Sequence, residues 1–253
     1  MTKTILLCLF SVSLAAQPGF QKKLEGLQAA EGLAVLSDGG YLLAGARGNC
    51  IQILRFDVDG SPLWMRQVCP SNPAADLSIG AMHLVASSDG SGSFLLLFRK
   101  GGFLTSPANL LNLMKFDATG NLLWESQLRP EKRYGPFSPG NQLVATPSGA
   151  IWATHGMGFT DLYPDYNQIL IFKNSSSGQP LLRQFYLSDS PATANGILAE
   201  KENEIFVYGG LGTATTDGVL LKINELGDVL WSKRYQGMHF IQDGGFFANG
   251  DFM

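Results

Sequence analysis

The sequence predicts an all-β protein, and its composition and short-range patterns carry this prediction. Charged residues make up 15% of the 253 residues, aromatic residues 11%, and there are 30 glycines. Few charges with many aromatics are the opposite of a disordered composition. Apolar and polar residues alternate over short runs bounded by glycine-containing turns, which is typical of strands joined by tight turns. The length is sufficient for a substantial buried core.

The amino-terminal residues predict a secretory signal peptide, residues 1–16. Lys3 supplies a positive charge, residues 5–12 form a short apolar run, and residues 13–16 offer small side chains for cleavage. The apolar run is far shorter than the ~20 residues of a membrane-spanning helix. We therefore expect an exported protein, secreted or at the cell surface, without a membrane span. A buried amino-terminal strand is the alternative.

One unit recurs along the rest of the chain. Its first half is two apolar runs around an Asp-Gly turn, as in LAVLSDGGYLLAG, which ends at Gly45. Its second half is two strands around a glycine turn, as in ILRFDVDGSPLWMRQV. Each unit therefore predicts two successive hairpins, or four strands. The copies occupy about residues 27–70, 78–129, 140–187 and 194–236, and residues 237–253 repeat the first half once more.

Two kinds of residue recur at fixed places in the second half of the unit. The turn glycines, spaced by 60, 58 and 49 residues, are Gly60, Gly120, Gly178 and Gly227. Four residues after its turn glycine each copy has a large apolar residue: Trp64, Trp124, Leu182 and Trp231. Three of the four tryptophans of the chain thus share one position, which predicts a repeated structural role in packing.

Tandem units of four strands predict a β-propeller over residues 17–253. Each small antiparallel sheet, or blade, has two apolar faces and buries them by stacking on its neighbours around an axis. Residues 19–24 resemble the last strand of a unit and are expected to complete the blade begun at the other end of the chain. Four full units and part of a fifth predict a truncated protein, because an abrupt end would leave an unpaired strand edge. A compact five-bladed ring is the alternative.

A basic residue recurs beside the strand that carries the tryptophan. Arg55 is expected opposite Trp64, and Lys115 and Lys222 hold the same place in their units. We expect these side chains to be solvated, with their stems lying on the indole rings. A cation–π contact at such an exposed site contributes about 0.5–1 kcal/mol.

Removal of the leader leaves two cysteines, Cys50 and Cys69. The segment between them predicts a hairpin with a two-residue turn at Asp59–Gly60, and the two cysteines lie equally far from that turn. They are then cross-strand neighbours within disulfide reach. Because an exported protein meets an oxidising compartment, we expect the disulfide Cys50–Cys69. Two free buried cysteines are the alternative.

The pattern DGGY-x-x-x-G followed by L-x-K/R-F-D-x-x-G-x-x-x-W resembles the tandem repeats of secreted bacterial propeller proteins. The segment FDATGNLLWE, residues 116–125, is also similar to the tryptophan-docking repeat of quinoprotein-type propellers. The resemblance covers residues 19–253 and implies the propeller architecture. Quinoprotein dehydrogenases would also be expected to show adjacent cysteines beside the cofactor and carboxylates on a calcium ion. The sequence has no Cys-Cys pair and no acidic cluster apart from its turns.

Other chemical motifs in the sequence are weak. Asp57–Gly60 superficially resembles a calcium loop, but the closing Glu is missing, and turn chemistry accounts for these residues. The histidines His83, His155 and His239 do not form a ligand pattern, so we expect no metal and no cofactor. The net charge of −3 removes the electrostatic case for nucleic acid or anionic lipid.

The irregular insertions are the predicted places for a ligand, since loops carry function. They are residues 99–112, 129–141 and 157–168, and the last contains Tyr163, Asp165 and Tyr166 around a proline. These residue types suit a sugar or a peptide. We expect a monomeric, non-catalytic binding or structural scaffold, whose partner is an unknown protein or glycan. The alternative is a propeller enzyme, either a quinoprotein-type dehydrogenase or a glycan-active hydrolase.

Overall fold

The computed structural model describes residues 29–69, 78–88, 91–101, 110–128, 142–155, 168–187, 192–201, 204–211, 217–238 and 241. The predicted leader, the expected closing strand at residues 19–24 and nearly all of the predicted partial fifth unit lie outside these ranges. All regular structure in the described part is strand and turn. No described helix is long and apolar enough to cross a membrane.

The described strands form four antiparallel sheets, each with four strands in chain order. Sheet 1 contains β1 (Ala29–Val35), β2 (Tyr41–Arg47), β3 (Cys50–Phe56) and β4 (Pro62–Val68). Sheet 2 contains β5 (Ser78–Ala86), β6 (Phe94–Gly101), β7 (Leu110–Phe116) and β8 (Leu122–Leu128). Sheet 3 contains β9 (Gln142–Ala145), β10 (Ile151–His155), β11 (Gln168–Asn174) and β12 (Pro180–Leu187). Sheet 4 contains β13 (Ala192–Lys201), β14 (Glu204–Leu211), β15 (Asp217–Ile223) and β16 (Val229–Gln236). The predicted fold class, an all-β chain of four-stranded antiparallel units, is confirmed.

Consecutive sheets stack face to face. The first strand of each sheet lies beside the first strand of the next, so that β1 contacts β5, β5 contacts β9 and β9 contacts β13. Each interface has its own apolar core. Sheets 1 and 2 enclose Leu42, Ile51, Ile53, Phe94, Phe98 and Phe116. Sheets 2 and 3 enclose Leu95, Leu97, Leu113, Ile151, Leu170 and Phe172. Sheets 3 and 4 enclose Trp152, Ile169, Ile171, Ile205, Val207 and Ile223.

The second hairpin of sheet 1 corrects the predicted turn. The Asp57 N–H donates to the Ser61 carbonyl at 3.0 Å and the Gly60 N–H to the Asp57 carbonyl at 3.1 Å. The loop is therefore three residues long, with Gly60 at a φ of +79°, and the two-residue turn was wrong. A bulge next to the turn leaves Leu63 without an opposing residue, and beyond it Arg55 faces Trp64 as expected.

The same bulge occurs in all four sheets. The residues skipped by the pairing are Leu63, Leu123, Leu181 and Leu230. All four leucines are between 53% and 58% exposed. The repeat thus fixes the register of the last hairpin, and it also places one exposed leucine on the outer strand of every described sheet.

Candidate functional site

The predicted ligand loop lies outside the described residues. Tyr163, Asp165 and Tyr166 belong to residues 156–167, and the second insertion at 129–141 is likewise outside. Their role in binding stays a prediction. The chemistry that the structure does describe is concentrated where one sheet meets the next.

Each turn glycine of sheets 2, 3 and 4 receives a side chain from the preceding sheet. A Cβ atom built on Gly120 would lie 2.9 Å from Cη2 of Trp64, and one on Gly178 would lie 2.6 Å from Cε3 of Trp124. At Gly227 the nearest carbon is Cδ2 of Leu182, at 2.6 Å. We call these contacts the glycine joints. Within one hairpin the turn glycine contacts the preceding sheet, and the large residue four positions later contacts the turn glycine of the next sheet. These two contacts account for the fixed spacing of glycine and tryptophan.

Backbone geometry adds a second reason for glycine at the joints. The φ angles of Gly120, Gly178 and Gly227 are +82°, +83° and +86°, a region that residues with a Cβ rarely adopt. Each joint therefore needs glycine for the turn itself and again for the approach of the neighbouring side chain. A hydrogen bond from the Trp124 indole Nε1 to the Ser176 carbonyl, at 3.2 Å, orients the ring in its joint.

Two of the recurrent basic residues, Arg55 and Lys115, are buried, so the solvated arrangement predicted for them was wrong, and Lys222 is half-buried. The Arg55 side chain is 6% exposed, and its Nη2 lies 2.5 Å from Oδ2 of Asp38. Its Nη1 donates to the Phe56 carbonyl. A Cβ on Gly40 would overlap the guanidinium, which explains the second glycine of the DGGY motif. The cation over the Trp64 ring is instead Arg66, at 5.7 Å.

The basic residues at the position of Arg55 in the other sheets have different partners. Lys222 pairs with Glu204 in its own sheet at 3.1 Å and lies 5.2 Å from the Phe206 ring. Lys173 holds the same place in sheet 3, although the repeat pattern did not predict it. It donates to the Glu225 carbonyl of sheet 4 at 2.8 Å. The position is therefore basic in all four described sheets, while Arg55, Lys173 and Lys222 each have a different partner.

Carboxylates in the turns accept backbone hydrogen bonds and are held in the ionised form. A backbone hydrogen bond from Gly40, with the Arg55 guanidinium, lowers the pKa of Asp38 below its usual value. The Asn121 backbone N–H and the Thr119 hydroxyl lower the pKa of Asp117 to about 2. The equivalent oxygen of Asp57 accepts from the Ser61 N–H at 2.7 Å. Turn chemistry therefore accounts for these residues.

Side chains of the first strands connect neighbouring sheets, which sequence reasoning missed. Oε2 of Glu31 accepts from the Met82 N–H at 3.2 Å, and Nδ1 of His83 accepts from the Leu143 N–H at 3.2 Å. Oε1 of Gln142 accepts from the Ile197 N–H at 3.3 Å and from the Tyr208 hydroxyl at 3.0 Å. For Glu31 the available signal was a polar residue followed by glycine at a strand bulge, and the same signal marks Asn195, whereas His83 and Gln142 are each followed by leucine. Asn195 makes a contact of the opposite direction, since its Nδ2 donates to the Ile241 carbonyl at 2.9 Å.

The open end of the last hairpin is cross-linked in sheets 1 and 4. In sheet 1 the disulfide joins Cys50 and Cys69, whose Cα atoms are 4.3 Å apart. The place of Cys50 is taken in sheet 4 by Asp217, whose carboxylate accepts from Arg234 Nε at 2.5 Å and from the Gly237 N–H at 2.9 Å. A covalent bond and an ion pair thus hold the same end of the last hairpin in two sheets, although Arg234 is paired with Val219, two residues away from the rung of Asp217 and Gln236.

Asp217→Asn is expected to lower stability at neutral pH and to have little effect in acid. The Gly237 N–H and then the Arg234 guanidinium hold the pKa of Asp217 below its usual value of 3.8. Such a group stabilises the folded state above its unfolded pKa, and this contribution is lost as the pH falls through the folded pKa. Tm values of the two proteins should differ most near pH 7 and converge as the pH falls below 3.8 through the folded pKa of Asp217. A constant difference would contradict an ionic role, and Asp59→Asn, in an exposed turn, is the control.

Within the described ranges, no group of three or more His, Cys, Asp or Glu residues could hold a metal ion. His83 contacts a neighbouring strand, as above. His239 and the side chain of His155 fall outside the description.

Comparison with known proteins adds information on the fold. No protein-family model and no curated protein matches the sequence. The solved Dos1 propeller matches 88% of the chain with a TM-score of 0.58 and 15% identity. Streptogramin B lyase matches 91% of the chain and 70% of its own length, with a TM-score of 0.48 and 16% identity. The chain spans about half, 53%, of the Dos1 propeller chain. At these identities the likeness shows the fold alone: the stacked sheets are those of a β-propeller.

Proposed function

We propose that the chain is an exported, non-catalytic scaffold of propeller repeats that binds a protein or a glycan. The observation that supports it is how the charged and polar side chains of the four sheets are used. Some of them hold one sheet to the next, as Gln142 does by accepting from the Ile197 N–H. Others hold a turn within one sheet, as Arg55 does by pairing with Asp38. A chain whose polar side chains make structural contacts within and between its sheets is suited to presenting loops, since propeller-like scaffolds position ligands at their loops.

Export is supported by two features that are independent of each other. The first sixteen residues have the three-part pattern of a signal peptide. The disulfide Cys50–Cys69 is of the kind that persists in oxidising compartments. We infer that the mature chain begins at Gln17, is secreted or held at the cell surface, and acts as a monomer without a nucleic-acid partner.

The test of export is the mass of the protein recovered outside the cytoplasm of an exporting host. We expect a chain that starts at Gln17 and is lighter by two hydrogen atoms than the form with two thiols. A species that retains residues 1–16, or one that carries two free thiols, would overturn the corresponding half of the proposal.

The test of the binding role is a glycan array and a panel of extracellular proteins, each followed by a turnover assay. Binding without turnover is the expected result. Glycan cleavage would instead show a hydrolase, and dehydrogenation in the presence of a quinone cofactor would show a quinoprotein enzyme. Tyr163→Ala with Tyr166→Ala tests the predicted ligand loop, and Val58→Ser in an exposed turn of sheet 1 is the matched surface control.

A further inference from the structure

His83 occupies a contact between sheets 2 and 3 that has a non-titrating counterpart between sheets 3 and 4. The strand registers place His83 opposite Leu97 and Gln142 opposite Thr154, which are equivalent positions of the repeat. From that position each side chain accepts the backbone N–H of the next sheet. His83 accepts from Leu143 at 3.2 Å, and Gln142 accepts from Ile197 at 3.3 Å.

The two acceptors differ in one chemical respect. An amide oxygen accepts a hydrogen bond at any ordinary pH, whereas Nδ1 of histidine accepts only while the imidazole is neutral. Protonation of the ring places a hydrogen on Nδ1, so that two N–H groups then point at each other. The same event puts a positive charge into a site that is largely removed from water.

The surroundings of His83 offer the imidazolium little compensation. The strand β9 across the joint, residues 142–145, has no charged residue, and the described side chains of β6, Phe94–Phe98, have none. From β1 the acidic residue beside this strand is Glu31, whose Oε2 accepts from the Met82 N–H. Tyr41 and Arg47 of β2 belong to sheet 1, which packs against the face of sheet 2 opposite to the face that carries His83. Burial lowers the pKa of the His83 imidazole below its usual value of 6.5.

We propose that His83 makes the joint between sheets 2 and 3 sensitive to mild acid, so that this one interface loosens while the others hold. The device would let an exported protein respond to the pH of its surroundings at a defined place in the stack. It does not depend on which partner the scaffold binds.

The direction of the pH dependence follows from the linkage between protonation and folding. The folded state holds the imidazole neutral to a lower pH than the unfolded state does, so the unfolded or opened form takes up the proton first. Stability of the joint is therefore full above pH 6.5 and falls as the pH drops below that value toward the folded pKa. The lowered carboxylate pKa values of Asp38, Asp117 and Asp217 place their titrations below this window.

The test is hydrogen exchange of the full chain at pH 7.5 and pH 5.0, corrected for the intrinsic pH dependence of exchange. Protection of the Leu143 amide should fall by about threefold to tenfold in the wild type. Protection of the Ile197 amide, bonded to Gln142, should not change and is the internal control. Equal loss at both amides, or no loss at Leu143, would overturn the proposal.

His83→Gln copies the contact of sheet 3 into sheet 2 and should remove the acid sensitivity of the Leu143 amide. His155→Gln and His239→Gln are matched controls and should leave it in place. Should the variant not fold, NMR titration of the wild type decides: the Leu143 amide shift must follow the His83 imidazole with one midpoint below 6.5. A Leu143 shift that ignores the imidazole titration contradicts the proposal.

Discussion

Gly178→Ala is expected to destabilise the folded chain by about 2–5 kcal/mol. The alanine would have to adopt a φ of +83°, which costs about 1–2 kcal/mol for a residue with a Cβ. Its methyl group would also lie 2.6 Å from the Trp124 ring, and overpacking of this kind costs about 1–3 kcal/mol. Denaturant unfolding, followed by the near-ultraviolet signal of the tryptophans, measures the total.

Gly48→Ala separates the two contributions. Gly48 also has a positive φ, +59°, but a Cβ there would meet nothing within 4 Å. We expect a loss of about 1–2 kcal/mol, the backbone cost alone. Equal losses for Gly48→Ala and Gly178→Ala would show that Trp124 adapts without cost and that the joint is not tightly packed.

A second change tests whether the Gly178 loss comes from the joint. Trp124→Ala removes the ring that a methyl group on residue 178 would meet. We expect the double variant Trp124→Ala, Gly178→Ala to be less destabilised than the sum of the single variants, because the overlap with the ring is then absent. Strict additivity would mean that the two residues do not interact.

Removal of the disulfide by Cys50→Ala with Cys69→Ala is expected to cost about 3 kcal/mol. The bond closes a loop with a sequence separation of 19 residues, and the entropy restored to the unfolded chain accounts for most of this value. Thermal and denaturant unfolding of the oxidised wild type, the reduced wild type and the double variant give the comparison.

The double variant and the reduced wild type should unfold alike, because both lack the cross-link. Arg234→Ala removes the ion pair at the same end of the last hairpin in sheet 4 and is expected to cost less, since that arginine is half-exposed. If the disulfide variant were as stable as the oxidised protein, the hairpin would already be held in the unfolded chain.

The architecture was predictable because the same pattern of strands and turns occurs several times in the sequence. Alternating apolar residues gave the strands, and the turn glycines with the tryptophans four residues later marked the last hairpin of each sheet. The pairing of Arg55 with Trp64 followed from that register. The register was reached through an incorrect turn, since a longer loop and the bulge at Leu63 offset one another.

The partners of the polar residues were not predictable, because they belong to the other hairpin of the same sheet or to the neighbouring sheet. A pattern within one hairpin shows which residues share a face, but it does not show what packs against that face. Arg55 therefore looked solvated, although Asp38 and the space left by Gly40, in the first hairpin of its own sheet, receive it. The contacts of His83 and Gln142 depend on two units at once, and the same limit applied to them.

The glycine joints give the stack a direction. One side of a joint supplies the large side chain and the other supplies the turn glycine, so the two faces of a sheet are complementary rather than alike. Sheets joined in this way can only follow one another head to tail, like heterologous contacts in an assembly. A whole unit can therefore be duplicated or deleted without changing the chemistry of the remaining joints. A reversed unit would set tryptophan against tryptophan. Duplication of one hairpin pair is accordingly a simple route by which such a chain could have grown to its present length.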